Sequence, residues 1–148
     1  MSRPARLAQP AAAEQASKSN RIERIIGGPQ KVYTVPGNGG ASYPILLDAA
    51  SFADHVDPRR ADYIELLDAT LSDPREVWLG FERHRGTGLI TLRLRVLRAF
   101  DTGDKKTNQV VVINARRGVL EGWTFVPGES RYGRNQRRGS LFHSRDGN

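Results

Sequence analysis

The 148-residue chain contains no cysteine. That single absence excludes a disulfide scaffold, a thiolate nucleophile, a Cys-ligated zinc and an iron–sulfur site. Long apolar runs are missing too: nothing approaches the roughly 18 to 20 residues that a membrane span requires, and the first residues lack the apolar core of a signal peptide. A soluble chain with no membrane partner is therefore expected, exported if at all by a route that uses no such signal. Lysine is scarce, occurring only as Lys18, Lys31, Lys105 and Lys106, so the basic charge is almost all arginine. Arginine is the better planar, bidentate binder of phosphate.

What is present is a basic and unevenly charged chain, with 23 Lys+Arg against 16 Asp+Glu and a formal net charge of +7. Residues 44–80 carry more acidic than basic groups, whereas residues 81–148 carry a large basic excess. An acidic stretch followed by a basic one suggests a single positive face turned toward a polyanion, most plausibly nucleic acid. The length suits one domain.

The first 29 residues hold Ala11-Ala12-Ala13, scattered Arg and Ser and Gly27-Gly28-Pro29, and read as a flexible basic arm with at most one turn of helix over Ile22 to Ile26. Residues 30–148 then form the single domain. A short strand is expected from Gln30 to Val35, followed by a loop forced by Gly37-Asn38-Gly39-Gly40, with the folded part starting near Tyr43. Asp48 suits the N-cap of a helix over Ala49 to Val56. Asp57-Pro58 opens a second helix whose Ile64, Leu67 and Leu71 share one stripe and which Asp73-Pro74 stops.

Alternation then takes over. Glu76 to Glu82 puts Val77, Leu79 and Phe81 on one face and Trp78 on the other, and Leu89 to Phe100 separates Ile90, Leu92, Leu94 and Val96 from Thr91, Arg93 and Arg95. Asn108 to Asn114 is apolar on both faces, as a central strand should be. Glu121 to Val126 pairs Trp123 with Phe125 and turns Thr124 away; Ser140 to Ser144 makes a last short strand. The expected architecture is α+β, with N-terminal helices packed on a four- to five-stranded antiparallel sheet.

Three histidines carry the acid–base potential, because an unperturbed pKa near 6.5 lets the ring give and take protons near neutrality. Their spacing matches no compact metal motif, so neither metal nor cofactor is expected. His55 closes the first helix, with Arg59 beyond it; His143 alternates with Phe142 in the last strand and is expected on the opposite side from a buried Phe142; His84 sits in a hairpin turn as a surface or substrate contact. The loop from Pro127 to Gly139 holds Arg131, Arg134, Arg137 and Arg138 around Tyr132, a combination that clamps phosphates while a ring stacks on a base. Arg93 and Arg95 add charge to a strand face.

The run Phe52-Ala53-Asp54-His55, the segment Asp73-Pro74-Arg75-Glu76-Val77-Trp78, the paired long strands, Gly122-Trp123-Thr124-Phe125-Val126-Pro127, Tyr132 and Arg138-Gly139-Ser140-Leu141-Phe142 together resemble the phage-associated group of barnase, EndoU, colicin and RelE-like nucleases over roughly residues 43–145. The resemblance implies metal-independent cleavage of RNA, with tRNA one candidate, use as a toxin or effector acting in the cytoplasm after delivery within a phage or secreted polypeptide, and a cognate immunity or antitoxin protein. It assigns catalytic positions to His55, Thr124 and Arg138. The ending Leu141-Phe142-His143-Ser144 differs from the tyrosine- and arginine-rich ending of the group, so His143 is a catalytic candidate on its chemistry alone. Arg59, Arg93, Arg95, Trp123, Arg131, Tyr132, Arg134 and Arg137 are the expected substrate-binding residues. The competing classes are a non-catalytic nucleic-acid-binding module and a phage structural accessory protein.

Overall fold

A computed structural model describes residues 16–56, 63–83, 85–101, 106–116, 118–128 and 139–145. Helix α1 covers residues 16–26 and is followed by strand β1 (Gln30–Pro36) and strand β2 (Ser42–Asp48). Two short helices, α2 (Ala49–Ala53) and α3 (Leu67–Ser72), precede β3 (Glu76–Arg83), β4 (Ile90–Asp101), β5 (Lys106–Arg116), β6 (Val119–Gly128) and β7 (Ser140–Ser144). No helix among the described residues is long and apolar enough to cross a membrane.

The strands form one seven-stranded sheet in the order β1-β2-β6-β5-β4-β3-β7. All neighbours are antiparallel except β2 and β6, which run parallel through Leu46 and Glu121. The sheet is thus larger than the expected four or five strands, and mixed. Strand β2 was not expected, because Pro44 removes a ladder donor and interrupts the run. Alternation nevertheless holds there, with Ile45 and Leu47 fully buried.

Helices cover one face. Ile22 and Ile26 from α1, Phe52 and Ala53 from α2, and Leu67 and Leu71 from α3 pack with Ile64 against Val35, Leu47, Val77, Leu94, Val96, Val111, Ile113 and Phe125. The expected arm over residues 1–29 is corrected for its described part: residues 16–26 are helical, and Ile22 is 0% and Ile26 5% exposed, while residues 1–15 lie outside the described residues. Ile22 and Ile26 are one helical turn apart, so both fall on the buried stripe. The first helix after β2 is shorter than expected, ending at Ala53, and the second begins as a tight turn over residues 63–66, with Asp57 and Pro58 outside the described residues.

The sheet curls until its two ends approach, because Tyr43 of β2 stacks on Phe142 of β7 with ring centroids 6.1 Å apart. Two glycines make this closure possible. A Cβ on Gly37 would run into the Tyr43 ring, and Gly139, at φ +85° just before β7, lies so close to the Leu79 carbonyl of β3 that any side chain would collide.

Candidate active site

His55 is held from three sides. Asp48 caps α2 by accepting the Ser51 backbone N–H at 3.0 Å and the Gln30 side-chain amide at 2.7 Å. The Ser51 bond first, and the Gln30 bond after it, keep the Asp48 carboxyl below the usual carboxylate range. The cap sets the first turn, and Ser51 within it reaches in two directions: its hydroxyl donates to Glu121 Oε1 at 3.3 Å, and its carbonyl lies 3.0 Å from His55 Nδ1. A carbonyl can only accept, so Nδ1 carries the hydrogen and the lone pair of the neutral ring is on Nε2.

The turn that follows α2 is tied down as well, since its carbonyls would otherwise lack partners. Thr124 Oγ1 donates to the His55 carbonyl at 2.5 Å, and Lys18 Nζ, from α1, donates to that of Val56 at 2.9 Å. The His55 ring stacks on Trp123, with centroids 3.6 Å apart and planes 27° from parallel.

That stack depends on an irregularity in β6. Val112 pairs with Thr124 but the next residue, Ile113, pairs with Gly122, so Trp123 is an extra residue in the strand. A bulge of this kind redirects a side chain. Trp123 and Thr124 both meet His55, whereas Phe125 stays in the core against Phe52. The expected pairing of Trp123 with Phe125 on one face is therefore corrected.

Beyond Thr124, the sheet face opposite the helices carries a polar network. The register lines up Trp78, Arg95, Val112 and Thr124 in one row and Arg93, Asn114 and Glu121 in the next. Arg93 donates through Nε to Asn114 at 2.8 Å and meets Glu82 Oε2 at 2.6 Å, while Arg95, 4% exposed, meets the other oxygen of the same carboxylate. With neighbouring strands about 4.8 Å apart, the backbones of Arg95 and Thr124, two strands removed, stand roughly 10 Å from each other. Arg93, Arg95, Trp123, Thr124 and His55 thus belong to one region. Glu82, Asn114, Ser51 and Glu121 are members that sequence reasoning passed over; for Glu82 the signal was there, since alternation puts it on the face of Trp78.

His143 is elsewhere. It pairs with Val77, and a second bulge, at Phe142, leaves both residues facing the cleft at the tip of the β1–β2 hairpin, formed by Thr34, Pro36 and residues 37–42. His143 and Phe142 share a side, contrary to expectation. That tip is at the opposite end of β2 from Asp48, on the order of 20 Å away at about 3.3 Å per residue, so His55 and His143 do not form one site. Arg59, His84, Arg131, Tyr132, Arg134, Arg137 and Arg138 lie outside the described residues. Among the described residues, no three histidine, aspartate or glutamate side chains gather as metal ligands.

No match is found among curated proteins or among solved structures. One family model does match, over residues 18–144, a span that takes in every described strand, the His55 segment and the Glu82–Arg93–Arg95 network. The chain belongs to the phage-Barnase-EndoU-ColicinE5/D-RelE like nuclease2 family.

Proposed function

We propose that this nuclease-family chain is an endoribonuclease that cleaves RNA by attack of the 2′-hydroxyl on the adjacent phosphorus. The reaction needs a group that removes the hydroxyl proton, a group that protonates the leaving 5′-oxygen, and cations against the phosphoryl charge. His55 is the proton-transfer residue. The observation that carries this is the bond from its Nδ1 to the Ser51 carbonyl, which fixes the tautomer and leaves Nε2 to exchange the proton. The arginines from Arg131 to Arg138 bind the strand, and the chemistry requires no metal. A toxin or effector role restrained by an immunity protein is the biological setting consistent with this reading.

The test is incubation of the protein with total RNA in chelator, comparing wild type with His55→Ala. Loss of a positioned acid or base lowers the rate about 10² to 10⁴-fold. Mass spectrometry of the fragments should find 2′,3′-cyclic phosphates or their hydrolysis products, and DNA should survive because it lacks the internal nucleophile. Cleavage that disappears in chelator, or that leaves 5′-phosphates, overturns the mechanism; full activity in folded His55→Ala overturns the residue assignment.

A further inference from the structure

We propose that the β6 segment from Glu121 to Thr124 is a cradle that positions the His55 ring, and that Trp123 and Thr124 are positioning residues instead of groups that touch RNA. The proposal rests on the reading of His55 as the proton-transfer residue. His55 follows a helix of only five residues, α2, whose own backbone bonds do little to orient a side chain beyond its end. The orientation comes from across the fold. Glu121 accepts from the Ser51 hydroxyl, and the Ser51 carbonyl receives Nδ1; Trp123 lies flat against the ring; Thr124 ties down the His55 carbonyl.

Two observations argue against substrate contact. The 3.6 Å separation of the rings is shorter than the roughly 4.5–7 Å of ordinary aromatic pairs, so the indole face toward His55 has no room for a base. The Thr124 hydroxyl hydrogen is used on a carbonyl, which can only accept, so Thr124 has none left to donate to a phosphate. The bulge is what makes the cradle: it alone brings Trp123 and Thr124, adjacent in sequence, to the same histidine. A regular strand would point them to opposite faces.

The measurement is steady-state cleavage of a short RNA by Trp123→Leu, Trp123→Phe, Thr124→Val and Thr124→Ser, with the His55 ring protons followed by NMR. A positioning role lowers kcat about 10- to 100-fold in Trp123→Leu while KM stays within about twofold, because a misplaced catalytic group costs on this scale. Trp123→Phe keeps a flat ring and recovers most of the rate; Thr124→Ser recovers what Thr124→Val loses. The His55 ring resonances, shifted upfield by the indole in the wild type, move back in Trp123→Leu. A raised KM at constant kcat would make Trp123 a base-stacking residue and overturn the proposal, as would unshifted His55 resonances in the wild type. Wild-type protein that cleaves no RNA yet shows the indole-shifted resonances overturns the ribonuclease reading and leaves the cradle standing.

Discussion

The Tyr33 hydroxyl donates to Asp68 Oδ1 at 2.6 Å, tying the first strand of the sheet to α3. Lys31 Nζ reaches the same oxygen at 2.9 Å. Burial, followed by the bond to Asp68, drives the Tyr33 phenol far above its usual range. For Asp68, burial pushes the carboxyl up, but the bonds from Tyr33 and Lys31 outweigh it and the net shift is downward.

These two directions set a pH window. A lowered carboxyl stabilises the fold above the unfolded carboxylate value near 4, and that stability is lost as pH falls through the folded value. A raised phenol stabilises the fold below the unfolded value near 10, and that stability is lost as pH rises toward the folded one. Denaturant unfolding across pH should therefore give a plateau that falls at both ends. Tyr33→Phe should cost about 1–2 kcal/mol on the plateau and flatten the alkaline fall. An alkaline fall unchanged in Tyr33→Phe would assign it to other groups.

The helix over residues 16–26 is expected to be part of the cooperative fold. Ile22 is fully buried, so Ile22→Ala should destabilise by about 2–4 kcal/mol through lost contacts and the cavity left behind. Deletion through Gly28 should abolish a single sharp thermal transition. A deletion protein that melts at the wild-type midpoint would show that α1 is only docked on a complete core.

Much of this architecture was legible where one physical signal dominated. Asp48 caps its helix, Ile64, Leu67 and Leu71 are buried together, and β5 is buried on both faces through Val110 to Ile113, as local pattern required. What escaped depended on partners distant in sequence. Ile22 and Ile26 look like an arm until the rest of the core supplies the surface they cover, and β2 goes unread because Pro44 interrupts it. The two bulges shift a single residue each, which local alternation does not register, yet they decide which way Trp123 and His143 face. For the site, His55, Arg93, Arg95, Trp123 and Thr124 were singled out by chemistry and resemblance. Their mutual bonds, and the parts played by Ser51, Glu82 and Asn114, appear only once the strands are in register.

The Glu82 carboxylate is expected to be a stability determinant. It faces Arg95, which is 4% exposed, and losing an interaction with a buried charge is costly because water does not replace it. Glu82→Gln should therefore cost about 3 kcal/mol, near the low end for such pairs because Glu82 itself keeps some water. Glu82→Gln with Arg95→Met should cost less than the two changes added together, since the interaction between the two groups can be lost only once. A strictly additive double-mutant cycle in urea unfolding would show that the two groups do not depend on each other.

Salt dependence should separate the cations that hold the fold from those that hold RNA. Arg21 is paired with Glu65, Lys31 with Asp68, and Arg93 and Arg95 share the one carboxylate of Glu82, so most of this charge is already compensated within the protein. A cation that keeps its carboxylate partner on binding neutralises little of the RNA charge, and few counterions are then released on its account. The steep part of the salt dependence must come from elsewhere, and the loop arginines supply it in the reading proposed above. Each phosphate contact contributes roughly 0.7 to the slope of log affinity against log salt for a single strand. Arg137→Gln/Arg138→Gln should thus lower the slope by about 1.4 and weaken binding at low salt, whereas Arg21→Gln should leave the slope as it is. Fluorescence anisotropy with a labelled RNA at several salt concentrations reads both. An unchanged slope in the loop variant together with a reduced one in Arg21→Gln would move the binding surface away from the loop and onto the α1 side of the molecule.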